Sequence, residues 1–218
     1  FTQHQTPPAA LPKDIREALP LELREKKILY YRDVPEEIRE ELWSRFEQAL
    51  LPLDSAGKLG VVLFQFPPWF YPGESEREHI VSCQQMLPQY RLAIEFRHGS
   101  WTSEKNLERT FAFLREHKLA YVCCDEPQGL NSSVPFLAEA TSDIGVVRFH
   151  GRNKVAWEKT RITAAERFNY LYSEDELRDL TPRIKDFASR TRHLHVLFNN
   201  CYEDKAVTNA QQIRLMLD

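Results

Sequence analysis

The sequence predicts an α/β fold in which helices cover a parallel sheet. Five short strand-like segments are each followed by a helical segment, and this alternation runs from Leu59 to the end of the chain. Several of the strand-like segments are apolar almost throughout, which is typical of strands buried on both faces of a parallel sheet. Each segment also turns polar at its carboxyl end, where α/β proteins place their sites.

Composition is that of an ordinary globular protein. The 218 residues are 42% hydrophobic and 28% charged, which allows one sizeable core without the bias of a disordered chain. The formal net charge of −3 gives no overall basic surface for nucleic acid or an anionic membrane. No apolar run reaches the roughly 18 residues of a membrane span, so no membrane partner is expected. The cysteines lack zinc spacing, and reduced thiols predict a cytoplasmic protein.

The part of the chain before the first strand is mainly helical by pattern. Lys13–Leu19 predicts a short helix that Pro20 ends. Pro35 suits the first turn of a longer helix. The apolar stripe of that longer helix recurs at helical spacing and comprises Ile38, Leu42, Phe46 and Leu50.

Five segments have the length and composition of strands. They are Leu59–Phe66, Leu92–Phe96, Leu119–Asp125, Ile144–His150 and Leu194–Asn199. Parallel neighbours need a crossover connection, and a helical segment follows each strand. We therefore expect a single parallel sheet with its strands in sequence order.

The connections carry helix signals of their own. The capping-box pattern occurs three times, at Ser75-x-x-Glu78, Thr163-x-x-Glu166 and Ser173-x-x-Glu176. Helices are also predicted over Ser103–His117 and Thr208–Leu217. The polar connection Gly151–Thr163 is long enough to cover a binding site.

Charged residues gather at the ends of the second and fourth strands. Glu95 and Arg97 share one face of their strand, as Arg148 and His150 do of theirs, because side chains alternate along a strand. These four residues are expected to meet in one anion-accepting mouth at the carboxyl end of the sheet. Asp125, on the intervening strand, is expected to supply the second carboxylate that two guanidiniums require.

Polar residues at all five strand ends complete the candidate site. The candidate acid–base groups are Glu95, His98 and His150, since carboxyl and imidazole groups transfer protons near neutral pH when their pKa is tuned. The candidate binding residues are Gln65, Arg97, Asp125, Arg148, Arg152, Asn199 and Asn200. No HxH or HExxH spacing supports a metal site, and the sequence identifies no cofactor.

Two functions stay open from these residues. One is an enzyme, a hydrolase or lyase acting on a phosphate-bearing or sugar-like substrate. The other is a non-catalytic module for a nucleotide or nucleic acid, in which arginines contact phosphates and Trp69 or Trp101 stacks on a base. A third interpretation is purely structural, because arginines, carboxylates and histidines also form ion-pair networks without a ligand.

A family resemblance rests on four stretches of the chain: LFQFPPWF (63–70), IEFRHGSW (94–101), VRFHGRN (147–153) and FNNCYEDKAVTNAQQIRLML (198–217). Together they resemble the YecE-like family, the domain of unknown function numbered seventy-two. The resemblance implies a TIM-barrel-like (β/α) fold and no settled activity. It also implies that the following residues occupy motif positions: Gln65, Glu95, Arg97, His98, Arg148, His150, Asn199, Asn200 and Asn209.

The resemblance further implies an incomplete barrel. The strand with a Gly-Thr-Ser-Gly-Trp-like stretch that usually opens the family is absent, and so is the family's second strand. We therefore expect residues 1–218 to be one domain of about five parallel strands with outer helices, lacking its N-terminal part. Its first and last strands would be open edges, so residues 1–218 expressed alone are expected to be poorly soluble or oligomeric.

Overall fold

The computed structural model describes residues 1–130 and 132–218. These residues fall into two compact units. The first unit comprises Phe1–Val62 and Glu74–Tyr90, and the second comprises Leu63–Gly73 and Arg91–Asp218.

The first unit is helical. Its helices are α1 (Lys13–Ala18), α2 (Leu21–Arg24), α3 (Glu36–Ser55) and α4 (Glu74–Met86). α3 begins directly after Pro35 and continues beyond the predicted stripe with Pro52 inside it. α4 begins before Ser75, so Ser75 is not the N-cap that its capping-box pattern predicted. A small apolar core in this unit contains Ile15, Leu19, Leu29, Val34 and Ile38.

The second unit contains a parallel sheet, whose first strand begins at Val62, one residue before the unit itself. Its strands in the described part of the chain are β1 (Val62–Gln65), β2 (Leu92–Glu95), β3 (Ala120–Asp125), β4 (Ile144–Phe149) and β5 (His193–Phe198). The strand order is β1-β2-β3-β4-β5, which confirms the predicted order. Over these residues the sheet stays open, with β1 and β5 at its edges.

Helices precede or follow the strands of the second unit, but among the described residues none lies between β3 and β4, so the predicted helix after each strand is absent there. They are α5 (Leu107–Glu116), α6 (Lys154–Trp157), α7 (Ala164–Arg167), α8 (Glu174–Ser189) and α9 (Lys205–Leu217). The capping boxes predicted at Thr163 and Ser173 are formed, each with both reciprocal hydrogen bonds. Within the described ranges, no helix is both long enough and apolar enough to cross a membrane. All four cysteines lie in these ranges, and each is a free thiol.

Strand register decides which face of the sheet each side chain occupies. Cys124 pairs with Arg148, and Arg148 pairs with Leu197. Residues paired across neighbouring strands point to the same side of the sheet, and successive residues of a strand point to opposite sides. These pairs therefore fix the face on which each strand residue lies. One face, here called the inner face, carries Glu95, Arg97, Cys124, Glu126, Arg148 and His150.

The opposite face of the sheet, here called the outer face, packs against helices. Tyr121 of β3 meets Phe111 of α5 with their ring centroids 5.1 Å apart. Gly145 of β4 lies against α8, where an added Cβ would come within 2.9 Å of Phe187 Cζ. The central strands are therefore buried on both faces, as their apolar sequences predicted.

The edge strands depart from that prediction. Leu63 of β1 is 38% exposed, and every residue of β5 is exposed or half-buried. An edge strand lacks a neighbour on one side, so an apolar run alone does not ensure its burial. The prediction of two-sided burial was therefore wrong for β1.

Candidate functional site

Glu95 lies at the centre of a group of charged residues on the inner face, at the carboxyl ends of the strands. Its buried carboxylate accepts a hydrogen bond from Arg97 Nη1 at 3.2 Å and another from Arg148 Nη1. His150 Nε2 lies 3.2 Å from Glu95 Oε1. The structure thus brings together the four residues whose strand parity predicted a shared mouth. With Glu126, described below, they form what we call the Glu95 cluster.

Glu95 stays ionised in this setting. Burial by itself would raise the pKa of its carboxyl group, because a charge is costly away from water. The hydrogen bond from His150 and the charges of Arg97 and Arg148 outweigh that cost, so the pKa lies well below its ordinary value. Glu95 is therefore a fixed negative charge rather than a group that exchanges protons near neutral pH.

His150 is held as a neutral imidazole with a defined tautomer. Burial lowers the pKa of His150 and outweighs the contribution of Glu95. Asn199 Nδ2 donates to His150 Nδ1 at 3.2 Å, so Nδ1 carries no proton. The ring proton therefore resides on Nε2, which donates to Glu95 Oε1 at 3.2 Å rather than accepting from Arg97 Nη1, which lies farther away at 3.4 Å. This leaves Nδ1 as the basic atom of the site.

Gln65 completes the contacts of Arg148. Its Oε1 accepts a hydrogen bond from Arg148 Nη1 at 3.2 Å. Gln65 and Asn199, both predicted as binding residues, thus orient members of the Glu95 cluster. Each lies at the carboxyl end of an edge strand of the sheet.

Arg97 is enclosed by a cation–π contact and two carboxyl groups. Its guanidinium lies 4.8 Å from the ring centroid of Trp157, in α6. One of its nitrogens lies 3.7 Å from Glu126 Oε2, which is too long for a hydrogen bond. Arg97 Nε is buried and has no hydrogen-bond partner within residues 1–130 and 132–218.

Glu126 is a buried carboxyl group of the site that was not among the predicted site residues. Burial raises its pKa to about 7, although Arg97 and a backbone N–H from Val134 act in the opposite direction. Its Oε2 is buried and has no hydrogen-bond partner in the part of the chain that the structure describes. From the sequence, Glu126 has the same parity as Cys124, but only the register, in which Cys124 pairs with Arg148, places Glu126 on the face of the cluster.

The connection after β4 covers the Glu95 cluster. Trp157 is buried, and its ring centroid lies 6.1 Å from that of His150. Phe168, just after α7, packs against the same imidazole at 5.7 Å. The predicted connection Gly151–Thr163 therefore supplies one of the two aromatic rings packed on His150, Trp157, whereas Phe168 lies beyond its predicted end.

Asp125 was expected to pair with the cluster arginines, and that expectation was wrong. It points to the outer face, where it binds Arg152 through two hydrogen bonds of 2.8 and 2.7 Å. Tyr172 donates a third at 2.7 Å, and Arg152 also reaches Glu176 at 3.0 Å. Side-chain alternation is the cause, since adjacent strand residues face opposite ways. Asp125 and Arg152 thus form a separate ion pair that holds the start of α8.

His98 and Trp101 also lie apart from the cluster. His98 Nδ1 accepts from the backbone N–H of Ser100 and so caps the 3-10 helix Gly99–Thr102. Trp101 is fully buried, stacks on Phe96 at 4.1 Å and donates to the Phe70 carbonyl at 2.6 Å. A buried ring cannot stack on a base, so Trp101 does not serve the nucleic-acid function considered above.

Asn200 is engaged in a buried hydrogen-bond network with Asn209. Asn209 Oδ1 accepts from Asn200 Nδ2 at 2.9 Å and from Tyr172 N at 3.1 Å. Its Nδ2 donates to the Tyr172 carbonyl at 2.9 Å and to Gln212 at 2.8 Å. Asn200 and Asn209, both in the FNN…NA motif, therefore join α9 to the segment before α8.

Replacing Asn209 with alanine is expected to lower the free energy of unfolding by about 2–4 kcal/mol, because buried backbone groups of Tyr172 lose their partners. Gln211, an exposed residue of the same helix, is the matched control. Its replacement by alanine should change the free energy of unfolding by less than about 0.5 kcal/mol. Urea unfolding of both variants measures the difference, and equal stabilities would contradict the network's structural role.

Three side chains of the inner face bring potential metal ligands together. Donor atoms of Glu95, Cys124 and His150 lie within 4.8 Å of one another. Two guanidiniums already contact the carboxylate, and their positive charges oppose a cation at that point. Burial also raises the pKa of the Cys124 thiol well above its ordinary value, so the thiolate that a metal needs is disfavoured.

A separate groove of about 530 Å³ lies on the side of the molecule that carries α5 and α8. It is lined by side chains that include Leu107, Phe111, Arg115 and Arg183. Its arginines are already occupied, since Arg115 pairs with Glu139 and Arg183 lies over the ring of Phe136. As far as the described residues extend, no residue of the predicted site lines this groove.

Comparisons with known proteins identify one family. Residues 9–218 match the family described as "Protein of unknown function DUF72". The curated relative "UPF0759 protein YunF" of Bacillus subtilis (strain 168) is 34% identical over 190 residues, or 85% of this chain and 67% of the relative. Both findings agree with the resemblance carried by the four motif stretches.

Two solved structures are similar to this chain. A DUF72 family protein from Thermotoga maritima MSB8 is 36% identical with a TM-score of 0.73, covering 82% of this chain and 65% of that one. A DUF72 family protein from Enterococcus faecalis V583 is 28% identical with a TM-score of 0.77, covering 82% of this chain and 66% of that one. The chain thus spans about two thirds of the length of its relatives. The TIM-barrel-like (β/α) fold is shared with these structures, although the five described strands do not close.

Proposed function

Because this chain belongs to the family of proteins of unknown function DUF72, we propose its function from the chemistry of its own side chains. The protein is an enzyme that binds a small phosphate-bearing molecule at the inner face, where the strands end. Arg97 and Arg148 hold the anionic group, and His150 moves a proton. A base that takes a proton from water or from a carbon atom suits hydrolysis or elimination, and the reaction class of the proposal is hydrolase or lyase.

The observation that carries this proposal is the incomplete balance of charge around the two arginines. Both guanidiniums are largely buried, with side chains 11% and 12% exposed. Glu95 supplies one full negative charge, and Glu126 is only half ionised near neutral pH because its pKa is about 7. His150 is neutral. The positive charge of the two guanidiniums is therefore only partly balanced, which favours the binding of an anion. A guanidinium binds phosphate oxygens in a fixed geometry.

The proton chemistry rests on the pair formed by Glu95 and His150. Glu95 accepts a hydrogen bond from His150 Nε2–H, and His150 Nδ1 acts as the base once a substrate replaces Asn199 there. The imidazolium that forms would be stabilised by the adjacent carboxylate, as in other base–carboxylate pairs. Glu95 is thus a positioning residue, whereas His150 is the catalytic residue of the proposal.

Replacing Arg148 with alanine is expected to weaken the binding of inorganic phosphate by about 10- to 100-fold, since a hydrogen bond to a charged group is lost. Arg152→Ala is the matched control, because Arg152 points to the outer face and pairs with Asp125. That control should retain phosphate binding while its stability falls. Isothermal titration calorimetry with inorganic phosphate measures both affinities.

Two results would contradict the proposal. One is a wild-type protein that binds no phosphate. The other is an Arg152→Ala variant that loses binding as fully as Arg148→Ala does, because the outer-face ion pair would then matter as much as the cluster. Circular dichroism of each variant establishes that its fold is retained before the affinities are compared.

A further inference from the structure

Two side chains of the Glu95 cluster that form an ion pair each have a buried polar atom without a hydrogen-bond partner among the described residues. Glu126 Oε2 and Arg97 Nε are both buried and, within the described residues, neither has a hydrogen-bond partner. Glu126 Oε2 lies 3.7 Å from Arg97 Nη2, another nitrogen of the same guanidinium. Buried polar atoms are almost always hydrogen-bonded in proteins. Two such atoms without partners on paired side chains therefore indicate a ligand that supplies the missing hydrogen bonds.

The chemistry of that ligand follows from the two atoms. Arg97 Nε can only donate a hydrogen bond, so the ligand atom it meets must be an acceptor. A negatively charged oxygen suits the guanidinium, but an ionised Glu126 would repel it. A protonated Glu126 instead offers an O–H to the same oxygen. Glu126 Oε1 remains tied to the backbone N–H of Val134 at 2.6 Å, which leaves Oε2 for the proton.

We propose that the cluster takes up an oxyanion together with one proton, and that Glu126 is the residue that receives the proton. The inference deepens the proposed function, on which it rests, because it states the protonation state in which the site binds its anion. Glu126 and Arg97 then hold the oxyanion as two donors, while Glu95 keeps its own negative charge.

The charges around Glu126 determine whether anion binding favours or opposes the protonation of its carboxyl group. Arg97 is the cation that faces it, whereas its other ionisable neighbours are anionic or neutral. Those neighbours are Glu95, Asp125, Tyr121 and Cys124. A bound oxyanion adds negative charge near Glu126 and engages Arg97, so both effects favour the protonated carboxyl group. Anion affinity should therefore rise as pH falls.

The test uses inorganic sulfate, which does not itself titrate near neutral pH. Calorimetric titrations at about pH 7 in two buffers of different ionisation enthalpy give the protons bound per sulfate, and about half a proton is expected. The wild-type affinity should also fall by up to about tenfold for each pH unit above about pH 7. Both results come from the wild-type protein and require no variant to fold.

Glu126→Gln is the decisive variant, because its amide resembles the protonated carboxyl group in shape and charge. It should bind sulfate with no proton uptake and with an affinity that does not fall between about pH 7 and about pH 8. Glu139→Gln changes a half-exposed carboxylate outside the cluster. This variant should take up as many protons per bound sulfate as the wild-type protein does.

Each outcome separates this inference from the proposed function. If the wild-type protein binds sulfate without taking up a proton, or if Glu126→Gln takes up as much as wild type, the inference fails and the anion site stands. If the wild-type protein binds no sulfate even at about pH 6, where Glu126 is mostly protonated, both proposals fail.

Discussion

Replacing Glu95 with glutamine is expected to lower the free energy of unfolding by about 3–5 kcal/mol, which is the usual cost of breaking a buried charge pair. Arg97 and Arg148 both donate to the Glu95 carboxylate, which is fully buried. Glutamine keeps the size of the side chain but removes the only fully ionised carboxylate that contacts both guanidiniums, among the residues that the structure describes. Its amide group would also present a donor to groups that are donors themselves.

The loss of stability should depend on pH in a defined direction. The pKa of Glu95 is lower in the folded protein than its ordinary value of about 4.5, so its contribution is fully present above that pH. As the pH falls below that value, protonation progressively removes the contribution, and the wild-type protein approaches the variant in stability. Urea unfolding of both proteins at several pH values measures this convergence.

Glu139→Gln is the control for the Glu95 experiment. Glu139 pairs with Arg115 and Arg190, and all three side chains are partly exposed. Surface ion pairs contribute about 0–1 kcal/mol, so this variant should unfold almost as the wild type does. If the two variants were equally stable, the cluster would not depend on the buried charge of Glu95.

Replacing Glu126 with glutamine is expected to have the opposite effect and to stabilise the ligand-free protein by about 3 kcal/mol near pH 8. The pKa of Glu126 rises from its ordinary value of 4.5 to about 7 on folding. The folded protein must therefore either hold a proton or bury a poorly compensated charge. Between these two pH values the wild-type protein loses stability as pH rises, and above about pH 7 the loss is complete. Glutamine avoids the ionised form altogether.

The comparison of two pH values isolates this effect. Near pH 4.5 the wild-type carboxyl group is protonated in the folded protein, so the two proteins should be about equally stable. Near pH 8 the variant should melt about 5–10 °C higher, given a chain of this size. A variant that is no more stable than wild type near pH 8 would show that Glu126 is ionised at little cost in the folded protein.

Much of the fold could be read from the sequence because its signals are local. The order of the strands follows from the alternation of strand and helix, and the sites of two capping boxes follow from residues three positions apart. The clustering of Glu95 and Arg97 with Arg148 and His150 followed from side-chain alternation within each strand. Each of these properties depends on near neighbours in the chain.

The pairing partners within the site could not be read in the same way. Asp125 and Glu126 are adjacent acidic residues, and Asp125 was the one expected to pair with the cluster arginines. Register places Glu126 on the inner face with Arg148, and Asp125 on the outer face with Arg152. A single position in register exchanges the two faces, and register is set by contacts between distant segments.

By itself, the sequence determined the class of fold, the order of the strands and the end of the sheet where charged side chains gather, because these depend on local periodicity and on the direction of parallel strands. Only the tertiary structure decided which charges are balanced. It placed Trp157 over Arg97, buried Glu126 without a full hydrogen-bond complement and engaged His98 and Asn200 elsewhere. The physical reason is that burial and partner distances, which set the pKa of each group, arise only when segments far apart in the chain are packed together.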